Sequence, residues 1–145
     1  MQKRIIENNI LAAEISRLVN EGEQVSFLTK GMSMLPFIRG NEDSVILKKD
    51  DNLSLLDSVL AQVGDTYVIH RIIRIDGDKV TLMGDGNIRG VERCYRSDIV
   101  AKAIRIDKGK RQIDCTGKSH RRWAALWRWL LPVRRYLLAI YRRFL

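Results

Sequence analysis

Between Gln24 and Asp114 the chain breaks into short β-rich stretches, each closed by turn residues, and this punctuation limits its fold more than any other feature. The stretches are Gln24–Thr29, Ser44–Lys48, Ser58–Val63, Thr66–Ile75, Lys79–Met83, Ile99–Ile106 and Arg111–Asp114, with Gly, Asp and Asn turns such as Asp76-Gly77-Asp78 between them. They predict a compact antiparallel β domain. Thr66–Ile75 and Lys79–Met83 read as a hairpin, in which strict alternation puts His70 on one face with Val68, Ile72 and Arg74.

Both ends of the chain read differently. Ile6, Ile10, Leu11, Ile15, Leu18 and Val19 keep the three-to-four spacing of an amphipathic helix, predicted over residues 3–21 with Gly22 as its stop. From about Ser119, Trp123, Leu126, Leu130, Val133, Leu137, Ile140 and Phe144 again have helical spacing. Arg121, Arg128, Arg135 and Arg142 recur every seven residues on another face, and Pro132 is expected to kink this helix or split it in two. The division expected is a domain over residues 1–117 and a basic amphipathic helical tail over residues 118–145.

A chain of 145 residues is the size of one ordinary domain. Its net charge of +9 is unevenly placed: residues 118–145 hold eight Lys or Arg and no Asp or Glu, leaving 18 basic against 17 acidic residues before them. Cys94 and Cys115 are too few and too far apart for a disulfide scaffold or a metal knuckle, so a reducing compartment is the simpler expectation, with no metal or cofactor implied. Glu7, Asn8, Asn9 and Glu14 interrupt any signal-like run near the start, and no stretch approaches about 20 uninterrupted apolar residues.

Gly31-Met32-Ser33-Met34-Leu35-Pro36 follows directly on the first predicted strand. A small residue before the serine and a proline soon after it suit a turn that projects a hydroxyl and leaves main-chain N–H groups free. An acyl-transfer nucleophile needs both, because a serine hydroxyl requires an adjacent base and the oxyanion requires fixed donors. The main-chain N–H groups of Ser33 and Met34 are candidate donors, and Met32, Met34 and Pro36 candidate walls of a substrate cleft. The plain alternatives are a serine bonded within its own turn and a histidine buried with satisfied nitrogens.

The serine box, followed by Tyr67-Val68-Ile69-His70-Arg71-Ile72, resembles the signal peptidase I and LexA-type peptidase superfamily over roughly residues 24–106. The resemblance implies Ser33 as nucleophile and a base on a downstream strand, here His70, as in the histidine branch found in the endoplasmic reticulum and archaea. Leu82-Met83-Gly84-Asp85-Gly86-Asn87 is similar to that branch's G-D-N-N box, and Val91-Glu92-Arg93 falls near its D-D-R, with Glu92 in place of an aspartate. Asp85 is then expected to position the loop near the site and Glu92 to orient His70, each with a solvated turn carboxylate as its alternative. Asp98–Ala103 resembles the closing strand. The chain departs from the pattern where Gly40 leads into Asn41-Glu42-Asp43 in place of an immediate aspartate.

The implied function is a serine endopeptidase acting on a peptide or protein substrate, at small side chains if the resemblance extends to the cleft. For the tail, Trp123, Trp127, Trp129, Arg128, Arg135 and Arg142 suggest an interfacial helix on an anionic membrane surface, with nucleic acid as the runner-up. Location is expected in the cytoplasm, peripheral on the inner membrane face. A LexA-like self-cleaving regulator and a non-catalytic basic adaptor are the competing functions.

Overall fold

A computed structural model describes residues 9–29, 34–40 and 42–143. Within these, eight antiparallel strands form one sheet curled into a half-barrel: β1 (Val25–Leu28), β2 (Ser44–Lys48), β3 (Ser58–Val63), β4 (Thr66–Asp76), β5 (Lys79–Met83), β6 (Glu92–Tyr95), β7 (Ile99–Asp107) and β8 (Gln112–Asp114). The order across the sheet is β1-β2-β7-β3-β4-β5-β6, with β8 paired to β7. The predicted antiparallel β domain is present, with one strand more than the sequence pattern indicates. That strand is β6, four residues long and closely following a turn.

Bulges explain much of the curl, since an extra residue in one strand bends it and raises its local twist. Register shifts occur between Ile46 and Leu47 against β7, between Leu60 and Ala61 against β7, and between Ile72 and Arg74 against β5. The last corrects the expected face of His70. Val68, Ile72 and Ile75 pack together on one side of the sheet, whereas exposed Arg74 has been carried out of that row by the bulge.

The sheet buries both faces. One carries Leu47, Leu60, Ala101, Ala103 and Ile106, covered by Ile15 and Val19 of α1 (Asn9–Asn20) and by Met34 and Ile38 of the loop after β1. The other carries Val59, Ala61, Ile72, Val80, Leu82 and Cys94. As expected, α1 ends at Gly22: its φ is 88°, and Glu23 N–H returns to the Leu18 carbonyl at 3.1 Å. Residues 3–8 of the predicted helix lie outside the described residues.

The C-terminal tail is split as Pro132 predicts, into α2 (Lys118–Trp129), a short 3₁₀ turn (Leu131–Val133) and α3 (Arg134–Arg142). It is seated on the β domain. Arg121 of α2 bonds Asp57 at 2.5 Å and the Leu55 carbonyl at 2.9 Å, and the Trp127 indole N–H donates to the Asp85 carbonyl at 2.7 Å.

Leu60, packed from the central strand into the larger cluster, tests the core. Leu60→Ala is expected to lower unfolding free energy by about 2–5 kcal/mol in urea titrations at unchanged m-value.

Candidate functional site

His70 and Glu92 reach each other because the register of three strands puts them on one face. Ile72 of β4 lies opposite Leu82 of β5, and Leu82 opposite Glu92 of β6. His70 is two residues along β4 from Ile72, so its ring shares that side. The last β4–β5 pair is Arg71 with Met83, so β5 ends beside His70. His70 is buried, and its Nδ1 hydrogen-bonds Glu92 Oε1.

A carboxylate on Nδ1 fixes the tautomer of a neutral imidazole, since Nδ1 must carry the hydrogen that is donated. The Nε2 lone pair is then the acceptor, and among the described residues Nε2 has no hydrogen-bond partner. This is the arrangement a general base requires: one nitrogen held by an acid, the other open to receive a proton.

Asp85 stands on the opposite side. Arg71, the neighbour of His70, points to the other sheet face and meets Asp85 in a bidentate pair, Nε–Oδ1 at 2.8 Å and Nη2–Oδ2 at 2.7 Å. Both residues are almost fully buried. Burial works against the Arg71 charge, but the Asp85 carboxylate more than offsets it and holds the guanidinium above its ordinary pKa. With both oxygens engaged by Arg71, Asp85 does not orient His70; its place is in loop positioning. Its main-chain N–H donates to Met34 Sδ at 3.3 Å, which fixes the residue after Ser33 to the segment that follows β5. Phe37 and Ile38 N–H both return to the Met34 carbonyl at 3.0 Å, so the chain turns at once.

Ser33 and Met32 lie outside the described residues. Pro36 lines an open cavity of about 1210 Å³ with Phe37, Arg39, Lys108, His120 and Trp123. Past the serine loop, fully buried Asp43 accepts from Arg39 N–H at 2.8 Å and Lys108 Nζ at 2.6 Å. Burial alone would raise its carboxyl, but hydrogen bonds from the Arg39 guanidinium, from Lys108 and from Arg39 N–H hold it below the ordinary value. Asp43 therefore anchors the loop where the sequence departs from the aspartate position of the family pattern.

The tail residues separate into two sets. Trp123 and Trp129 are exposed, as are Arg135 and Arg142, and Arg128 is half-buried. Trp127 is different: its ring is edge-on to Phe37 with centroids 6.5 Å apart and its indole is tied to Asp85, so it belongs to the domain contact and not to the outer face.

His120 carries a role that no spacing signals. It is buried at the start of α2, edge-on to Phe37 at 5.3 Å, with Nε2 3.5 Å from Arg71 Nη1. Arg71 Nη1 also donates to the Leu56 carbonyl at 2.7 Å. Leu56 takes a φ of 74°, a left-handed conformation costing roughly 1–2 kcal/mol, while its N–H bonds the Ile72 carbonyl at 2.8 Å. Asp57 gathers Arg121 at 2.5 Å and Lys102 at 3.3 Å. Both cysteines are buried and unpaired; burial pushes the Cys115 thiol up to about 12, which disfavours its reactive thiolate.

No family model matches this chain, and no curated protein matches it.

Two predictions follow from the buried cluster. Asp85→Ala leaves the Arg71 charge buried without its partner and is expected to cost about 3–5 kcal/mol, read by urea unfolding. Burial, and then the Arg71 guanidinium, push the His120 imidazole down from 6.5 to about 4. The unfolded chain therefore takes up this proton first, and stability is lost as pH falls from about 6.5 towards 4, by up to about 3 kcal/mol. Asp43 and Asp114, whose carboxyls are also depressed, lose their own contributions in acid, so the wild type is compared with His120→Gln. A shallower decline of the unfolding midpoint between pH 6.5 and 4 is expected for the variant.

Proposed function

We propose that this chain is a serine endopeptidase of the signal peptidase and LexA type, cleaving a peptide or protein substrate with Ser33 as nucleophile, His70 as general base and Glu92 as the acid orienting the imidazole. One observation carries the reading: a buried strand histidine whose Nδ1 is held by a carboxylate and whose Nε2 has no hydrogen-bond partner among the described residues, in a chain that also contains the serine box. Met34, one residue after Ser33, packs on the Arg71 face of the sheet and is tied to Asp85, so the Ser33 hydroxyl must reach His70 past the end of β5. The curled antiparallel sheet is also the architecture expected of that superfamily.

In this mechanism the Ser33 hydroxyl attacks the scissile carbonyl carbon while its proton passes to His70 Nε2. Glu92, on Nδ1–H, stabilises the imidazolium. The main-chain N–H groups of Ser33 and Met34 stabilise the oxyanion. The imidazolium gives its proton to the departing amine, leaving an acyl-serine, and water activated by the same imidazole hydrolyses it. Asp85 acts at one remove, holding Arg71 and the serine loop, while Met32 and Pro36 line the cleft; the Met34 side chain, expected there from the sequence, is instead buried in the core. The proposed site of action is cytoplasmic, at the inner face of a membrane.

Hydrolysis of a peptide library tests this by kcat/KM. Ser33→Ala is expected to lose about a thousandfold or more, and Glu92→Gln to fall steeply through loss of the correct tautomer, with circular dichroism unchanged for both. Undiminished cleavage by Ser33→Ala overturns the assignment. Two fragments formed by pure wild-type protein without added substrate would instead assign the same residues to self-processing.

A further inference from the structure

The tail docks through the face that its sequence pattern does not favour. Residues turned inward are His120, Ala124, Trp127, Arg134 and Leu138, a stripe with steps of four, three, seven and four, the longest crossing the break at Pro132. Polar contacts hold much of it: Arg121 to Asp57, Trp127 to the Asp85 carbonyl, and Arg134 to the Asn87 and Trp127 carbonyls at 3.0 and 3.1 Å. The apolar face is left outside. Trp129 is 75% exposed, Trp123 61%, Tyr136 60% and Ile140 58%, with Leu126, Val133 and Leu137 exposed between them.

An amphipathic helix usually buries its apolar stripe; here much of that stripe is left in water beside the exposed arginines. Contiguous exposed apolar surface of this kind marks a docking face. It extends beyond the helices, because Ile88 and Arg89 of the β5–β6 loop border a cavity of about 330 Å³ with Leu131, Pro132 and Arg135. Ile88 and Val91 are both exposed, and Val91 directly precedes Glu92.

Charge decides which partner fits. Residues 118–145 contain eight Lys or Arg and no acid. Arg121 is taken by Asp57 and Arg134 is buried against carbonyls. Arg122, Arg135, Arg142 and Arg143 are exposed and make no ion pair among the described residues. Tryptophan and tyrosine beside aliphatic side chains, with arginines around them, suit the headgroup layer of a bilayer: the rings and aliphatic chains enter and the guanidinium groups bind lipid phosphates. A second copy of this chain would bring arginines against arginines. Among the described residues no helix is long and apolar enough to cross a membrane.

We propose that α2 and α3, with the tip of the β5–β6 loop, form a surface that lies on an anionic bilayer through Trp123, Trp129, Tyr136 and Ile140, while Trp127 and Arg134 lock the same helices to the β domain. The bilayer plane is thereby held in a set relation to Glu92 and His70, because α2 is bonded to Asp57 and Asp85 on the domain itself. This surface does not depend on the peptidase reading, and Ser33→Ala is expected to bind as the wild type does.

Co-sedimentation of the full chain with phosphatidylcholine vesicles, with and without phosphatidylglycerol, provides the test. Binding is expected at low salt only with the anionic lipid, accompanied by a blue shift of tryptophan emission. Joint replacement of Arg122, Arg135 and Arg142 by Ser should weaken binding by about a hundredfold. The double variant Trp129→Ala with Ile140→Glu should abolish it with circular dichroism unchanged. No binding by the wild type, or binding retained by the double variant, overturns the proposal. So does a concentration-dependent dimer that the double variant dissolves, or tighter binding to duplex DNA than to anionic vesicles.

Discussion

The buried pair of Arg71 and Asp85 stands where several segments of the chain meet. Arg71 belongs to the long central strand, Asp85 to the segment after β5, and around them lie the serine loop through Met34 and Phe37, the left-handed turn at Leu56, and α2 through His120 and Trp127. Removing two charges from water is costly, and the pair compensates by bidentate geometry with further hydrogen bonds on each partner. The ion pair thus supplies fixed placement more than net stability. It ties the loop that carries the candidate nucleophile to the strand that carries the candidate base.

The two faces of β4 divide the labour. Arg71 looks towards the loop and the tail, and His70 looks towards Glu92. Alternation along one strand thereby couples the scaffold and the proton-transfer pair without placing them in one polar cluster, so the positive charge of Arg71 stays on the far side of the sheet from the imidazole. The tail completes the scaffold on the Arg71 side and presents its unpartnered apolar face outward.

Much of the fold could be read from the sequence because turn residues and β-rich runs agree. Seven of the strands follow from that pattern, as do the helix stop at Gly22 and the break at Pro132. β6 was illegible because four residues after a turn, only one of them fully buried, carry too little periodicity. The bulge at Ile73 moved Arg74 off the expected face, since alternation alone cannot show an inserted residue. The motifs single out His70 and Glu92 as candidates, but that they touch depends on register across β5. Trp127 and His120 could not be sorted from their neighbours by sequence, since which face of a helix docks is decided by tertiary partners such as Asp85 and Phe37.

In the proposed mechanism the Ser33 alcohol is activated by the imidazole that Glu92 holds. The most direct measurement is labelling by a fluorophosphonate, which reacts with activated serine hydroxyls, followed by peptide mass mapping of the modified residue in wild type and in His70→Ala. One adduct is expected, on Ser33, and it disappears when the imidazole is removed. Labelling of Ser33 at an unchanged rate in His70→Ala, or no adduct on Ser33 in the wild type, would contradict it.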